Sequence, residues 1–396
     1  MYNIPVNKEF SMSLLMQRQK ADIRQLIEIP GTLRMERKMR KNYKYIFVHG
    51  LAGWGSYDKA YQEKPYWGMS GGDLMVFLHE KGFDCYAASV APSGSAWDRA
   101  CELYAQLAGT RVDYGAAHSR KYLHERFGRD FSSCPLIPTL DQDTRLILIG
   151  HSFGGATIRL FSQFMAYGDK DECEATDADD VSALFTGNNG SIIHSVVAIA
   201  SPMNGTTAYD MNDDPDFDPK KMKAPLWSKV LARSMAKRLK TDKDDRDPSD
   251  YADYDMHIDH ALELNNRIKP IPSVYYFSVP CSSTRKQKDG TQKPKRQMEP
   301  VFVMRSSYMG AYTGKTRGGF ITDESWQEND GLVNTISAKF PIGAPAKPLD
   351  KEKIVPGLWN VFPTFDGDHM ALQGGLMRKH DIRDFYLELL EMIEGL

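Results

Sequence analysis

Ser152 lies between two glycines in Gly150-His151-Ser152-Phe153-Gly154, directly behind the apolar run Arg145-Leu146-Ile147-Leu148-Ile149 and ahead of the helix-compatible stretch Ala156-Thr157-Ile158-Arg159-Leu160-Phe161. A serine at this spacing can occupy a sharp strand-to-helix bend that lifts its hydroxyl clear of the backbone and leaves the next amide N–H free for an oxyanion. The pattern points to an activated nucleophile. The alternative is a glycine turn of structural origin, which would need neither the strand in front nor the helix behind.

A serine hydroxyl attacks only when a histidine takes its proton, and that histidine needs an acid to fix its tautomer and stabilise the imidazolium. On an open α/β sheet the acid and then the histidine follow the serine, each on a loop after a later strand. His49 and His151 fall within turns, His79 on a helical face, and His118, His124, His257 and His260 outside the C-terminal strand region, while His380 begins the final helix. His369, in Asp366-Gly367-Asp368-His369, is therefore the expected base. Asp330 is the expected acid, because it has its own loop ahead of an apolar, helix-like run; Asp366 and Asp368 are the alternatives, nearer to the histidine in sequence. An oxyanion hole needs one N–H from the residue after the nucleophile and one from a loop after an early strand. Phe153 supplies the first, and Leu51, after Phe47-Val48-His49-Gly50, is the expected second.

The elements that must position these groups read as strands at 45–48, 85–90, 145–149, 195–200 and 273–279, with a helical stretch at 74–80. Buried β-branched runs alternating with amphipathic stretches predict a largely parallel sheet with helices on both faces, a doubly wound α/β fold. Residues 1–44 read as an N-terminal helical arm ending near Pro30-Gly31, with a basic cluster that is a solvated face, and 45–396 as the catalytic domain. An insertion at about 208–260 contains one apolar-periodic stretch, 226–239, expected to be helical, and 284–297 reads as an exposed loop.

Composition narrows the classes further. A net charge of −2, from 50 basic and 52 acidic residues, supplies no field for nucleic acid. Five cysteines, never in a CxxC arrangement, argue for free thiols. No run approaches the ~18 apolar residues of a membrane span. The first nine residues lack the basic start and apolar core of a secretory signal, which leaves localisation open.

The runs 48–55, 97–107 and 112–118, the nucleophile turn, Ala200-Ser201-Pro202 with Gly205-Thr206-Thr207, and 328–335 occur in order. Together they resemble the secreted lipases of the Bacillus, Geobacillus and Staphylococcus type, from about Tyr45 to the C-terminus. The resemblance implies an α/β-hydrolase fold with Ser152 as nucleophile, Asp330 as acid, His369 as base, and Leu51 with Phe153 as oxyanion donors. It also implies a closed structural zinc on Asp98, His118, His124 and Asp255, two imidazoles and two carboxylates that suit tetrahedral coordination and leave no open position for a water. Calcium is not expected, since the carboxylate that Bacillus relatives place two residues beyond the catalytic histidine is here Ala371.

The stretch from Thr207 to Asp255 is short and polar compared with the lid of the thermophilic relatives, so a reduced cover is expected. That favours short to medium acyl esters, polyesters among them, over long-chain triglycerides, with only transient contact with a lipid interface. The resemblance suggests an extracellular protein. Two rival readings remain: a zinc-dependent hydrolase using a metal-bound water, and a non-catalytic binding protein on the same fold.

Overall fold

The computed structural model describes residues 42–218, 225 and 246–396. The expected arm up to residue 41 and the expected helix at 226–239 lie outside the described residues. Seven strands form the central sheet: β1 (Asn42–Val48), β2 (Cys85–Ala88), β3 (Thr144–His151), β4 (Ile193–Ile199), β5 (Tyr275–Val279), β6 (Ala346–Pro348) and β7 (Trp359–Val361). Their order is β6-β7-β5-β4-β3-β1-β2, and every neighbouring pair is parallel. Because β1 starts at Asn42, residues 42–44 belong to the sheet, not to the arm.

Strand side chains alternate between faces, so each strand feeds two cores. Ile46, Val48, Leu146, Leu148, Val196 and Ala198 pack on one side with helices α2 (Ala96–Ala108) and α4 (Gly154–Tyr167). Phe47, Ile147, Ile149, Val197 and Ile199 pack on the other with α1 (Leu74–Glu80) and α6 (Arg383–Glu394). Two further helices are α3 (Ala116–Tyr122) and α5 (Ile258–Arg267), whose Leu264 packs against the first core. The expected doubly wound sheet is present.

After β1 the chain passes to β2 on one side and returns to β3 on the other, which makes the gap between β1 and β3 the switch point of the sheet. Ligands on open α/β sheets bind beyond the carboxyl ends of the strands at that point. The register pairs Val48 with Gly150, so the loops after β1 and β3 emerge side by side. The segment 284–297 contains a short hairpin, Thr284–Lys286 with Gln292–Pro294, and the three-residue strands β6, at the sheet edge, and β7, beside it, are too short to show a period.

Candidate active site and metal centre

β3 ends at His151 and α4 begins at Gly154, so Ser152 sits on the bend between them with φ of 55°. This left-handed conformation is costly for a residue with a side chain, and such strain gathers at functional positions. The flanking glycines are there for space. A Cβ on Gly150 would lie 2.5 Å from the carbonyl carbon of Gly154, and one on Gly154 would lie 2.3 Å from the carbonyl oxygen of Val48. Close approach of β1, β3 and α4 therefore presses the serine outward.

The structure brings Ser152, His369 and Asp330 into one chain of hydrogen bonds. His369 Nδ1 is 2.9 Å from Asp330 Oδ2, which can only accept, so Nε2 is left to accept from Ser152 Oγ, also at 2.9 Å. All three residues are buried. The other oxygen of Asp330 accepts from the amides of Leu332 (3.0 Å) and Val333 (2.8 Å), and the Asp330 carbonyl accepts from His369 N–H (2.9 Å). The two alternatives for the acid are engaged elsewhere. Asp366 pairs with Lys295 at the surface (2.6 Å), and Asp368 accepts from the amides of Glu299 (2.6 Å) and Met370 (3.0 Å). The run after Asp330 is a series of bends and turns, not the expected helix.

Among the described residues, neither the amide of Leu51 nor that of Phe153 has a hydrogen-bond partner. Two buried groups without a sequence motif hold this corner. The Tyr66 hydroxyl accepts from Gly50 N–H (3.1 Å) and lies 2.7 Å from His151 Nδ1, while His151 Nε2 lies 2.8 Å from the His369 carbonyl. A carbonyl only accepts, so Nε2 carries the proton and Nδ1 accepts from Tyr66. Burial, with His369 beside it, lowers the His151 pKa to about 3 and keeps that tautomer neutral. The relay ties together the loops that carry Leu51, Ser152 and His369.

Arg99 is the second such group. Its guanidinium donates to the carbonyls of His49, Gly50 (3.4 Å) and Ala91 (3.3 Å) and to Thr157 Oγ1 (2.9 Å), and it lies 5.2 Å from the centre of the Phe153 ring. It is fully buried, and burial lowers its pKa to about 10, so it remains a cation at neutral pH. The signal for Arg99 in the sequence is weak: a lone arginine on the apolar face of a helix.

Next to Arg99 on α2, Asp98 converges with His118, His124 and Asp250, with one ligand atom of each within 4.8 Å of the others. His118 Nε2 is 3.3 Å from Asp98 Oδ1 and 3.2 Å from Asp250 Oδ1, and His124 Nε2 is 3.3 Å from Asp250 Oδ2 and 3.9 Å from Asp98 Oδ1. A tetrahedron with arms of about 2.0 Å has edges of about 3.3 Å, so the spacing fits a four-coordinate metal. Asp98 Oδ1, Asp250 Oδ1 and both Nε2 atoms are buried without a hydrogen bond, the state expected of ligand atoms. His124 Nδ1 lies 2.9 Å from the Glu125 carbonyl, which fixes its proton there and turns the Nε2 lone pair to the centre. Burial opposes charge on His118, but the two carboxylates outweigh it and raise its pKa.

At the fourth position of the cluster the structure differs from the expectation. Asp250 occupies it, not Asp255. Asp255 instead accepts from Ala96 N–H (2.7 Å) at the amino end of α2, and its burial pushes its pKa up to about 7. An isolated bridge between Gly94 and Tyr251 brings Asp250 beside the start of α2, a contact no local pattern could have announced. Arg246 donates to Asp98 Oδ2 and lies 3.4 Å from Asp250 Oδ2, covering the outer oxygens.

A family model described as "Lipase-like, C-terminal domain" matches residues 41–220 and 233–394. Lipase 1 of Staphylococcus aureus (strain Mu50 / ATCC 700699) is 31% identical over 376 residues, which cover 87% of this chain and 53% of that relative. The chain thus spans about half the length of the curated relatives it matches. Among solved structures, EstA from Clostridium botulinum is similar at 30% identity and a TM-score of 0.77 over 90% of this chain and 88% of that one. Staphylococcus hyicus lipase is similar at 28% identity and a TM-score of 0.71, over 89% and 96% respectively. Among the described residues, no helix is long and apolar enough to cross a membrane.

Proposed function

The chain belongs to the lipase-like family, and from that membership we propose that it hydrolyses carboxylic esters through an acyl-enzyme on Ser152. The observation that carries the reading is the pair of 2.9 Å contacts in series from Ser152 through His369 to Asp330. Ser152 Oγ attacks the ester carbonyl as its proton passes to His369 Nε2, and Asp330 stabilises the imidazolium. The amides of Leu51 and Phe153 receive the oxyanion. His369 then protonates the departing alcohol, and water repeats the sequence on the acyl-enzyme. Ser152→Ala should abolish both ester turnover and covalent labelling by a fluorophosphonate while leaving the melting temperature within a few degrees of the parent. Substantial turnover in that variant would refute the assignment, and labelling of the parent without turnover would favour a binding protein.

The Asp98, His118, His124 and Asp250 cluster suits zinc, since borderline imidazoles with two carboxylates at tetrahedral spacing match that ion's preference. Bound there, zinc would supply a structural cross-link between α2, α3 and the segment around Asp250, with all four positions taken by protein. Chelation should lower the melting temperature and leave folded enzyme active over brief exposure. Immediate loss of activity with no change in melting would instead favour a metal-bound water as nucleophile.

The short polar stretch between Thr207 and Asp255 supports short to medium acyl esters as substrates, with polyester as a further substrate class. A chain-length series of p-nitrophenyl esters, run beside a triglyceride emulsion and an aliphatic polyester film, tests this. Turnover confined to emulsified long-chain oil would overturn it.

A further inference from the structure

Arg159 lies about two helical turns beyond Ser152 on α4, only 3% exposed, and takes no part in the chemistry above. Among the described residues its one hydrogen bond runs from Nη2 to Asn265 Oδ1 (2.6 Å), and no carboxylate there pairs with it. Asn265 is itself held with that oxygen toward the arginine, since its Nδ2 donates to Met203 O and Asn204 Oδ1, each at 2.9 Å. A guanidinium carries five N–H donors, so most of its donor capacity is unclaimed by protein.

The same arginine lines a cavity of about 290 Å³. The cavity is walled by Tyr276 and Trp359, paired across β5 and β7, and by Pro270 and Ile342, the last half-exposed at its mouth. Tyr276 and Trp359 sit toward the amino ends of their strands, so the cavity lies away from the carboxyl-end corner that holds Ser152. Burying a cation without a counter-charge is costly unless something supplies one. Burial lowers the Arg159 pKa to about 10, which leaves it charged at neutral pH.

We propose that this cavity is a binding site for a monocarboxylate with a short hydrocarbon chain, its carboxylate on Arg159 and Asn265 and its chain against Trp359, Pro270 and Ile342. A planar carboxylate matches the guanidinium fork, and the aromatic and proline wall suits an apolar tail in a way that a free phosphate would not use. The ligand class is that of the acid which ester hydrolysis releases, yet the site stands whether or not Ser152 is a nucleophile.

The test is calorimetric titration of the full chain with sodium octanoate, sodium acetate and inorganic phosphate at constant ionic strength. Octanoate should bind more tightly than the other two by about tenfold or more, the worth of a short buried hydrocarbon chain. Arg159→Met should weaken octanoate by about tenfold or more through loss of the charge-assisted pair. Should that variant fail to fold, Ala344→Trp, which fills the cavity from its lining and keeps the arginine, should give the same loss. Octanoate binding unchanged in a folded variant, or phosphate binding as tightly as octanoate, would overturn the proposal. The titration involves no turnover, so the Ser152→Ala result bears on the esterase reading alone.

Discussion

Replacing Arg99 with methionine keeps the length of the side chain and removes every donor, so it isolates what the buried guanidinium contributes. Four acceptors lose a partner: the His49, Gly50 and Ala91 carbonyls and the Thr157 hydroxyl oxygen. Two of these bonds are short, those to His49 and Thr157. At roughly 1.5–3 kcal/mol for a hydrogen bond to a charged group, their loss comes to about 3–6 kcal/mol. Relief of the desolvated cation offsets part of that, leaving an expected destabilisation of about 2–3 kcal/mol. The catalytic effect is separate. His49 and Gly50 directly precede Leu51, and the guanidinium rests against Phe153, so one side chain holds both expected oxyanion donors. Removing a donor outright costs about 10²–10³ in kcat, and a displacement near 1 Å costs about 10². Arg99→Met should therefore lower kcat by about 10- to 100-fold with KM within about threefold, because the hole acts in the transition state. The assay is turnover of a short p-nitrophenyl ester well below the melting temperature, normalised to sites titrated with a fluorophosphonate. A kcat within about twofold of the parent, in protein that melts several degrees lower, would show that Arg99 supports only the fold.

Asp330→Asn should reduce kcat by about 10⁴ with the fold preserved, since the amide would present the wrong partner to His369 Nδ1; Asp368→Asn should lose far less turnover, and the reverse ranking would move the acid to the other loop. Tyr66→Phe leaves Gly50 N–H and His151 Nδ1 without their buried partner and should cost about 2–4 kcal/mol in urea unfolding, together with a fall in kcat. Gly154→Ala places a Cβ 2.3 Å from the Val48 carbonyl and should destabilise by about 1–3 kcal/mol, read from the urea midpoint. His49 and His151 both have pKa values lowered to about 3 by burial, so below about pH 6.5 the unfolded chain binds protons that the folded one refuses. Their contribution is complete above about pH 6.5 and is lost as the pH falls toward 3, so melting temperature should drop through that window, and His151→Gln should flatten the slope.

The five long strands and the hydrogen-bonded grouping of Ser152, His369 and Asp330 were legible because each has a local signature. Buried β-branched runs mark the strands. The Gly-x-Ser-x-Gly bend is required by packing among β1, β3 and α4, and chain order singles out His369 and Asp330. What escaped was set by tertiary contact. β6, at the edge, and β7, next to it, are three-residue strands held by backbone pairing, with no apolar period to read. Asp250 and Asp255 are two similar carboxylates in one polar stretch, and only the Gly94–Tyr251 bridge decides which faces the histidines. Tyr66 and Arg99 carry no motif, because their roles are to satisfy groups brought together from distant parts of the chain.

Asp98 and Arg99 are consecutive on α2, and successive helical residues point about 100° apart. The first turns toward His118, His124 and Asp250, and the second reaches across to the loop after β1 and to Thr157 of α4. One helix therefore fixes the Asp98, His118, His124 and Asp250 cluster on one side and the expected oxyanion corner on the other, and Asp255 holds its amino end through Ala96. A metal in that cluster would stand outside the reaction yet set the position of the arginine that frames it. Loss of activity during slow chelation at raised temperature should then keep step with loss of helical signal. Activity that disappears well ahead of the circular dichroism would contradict a purely positional link between the two sites.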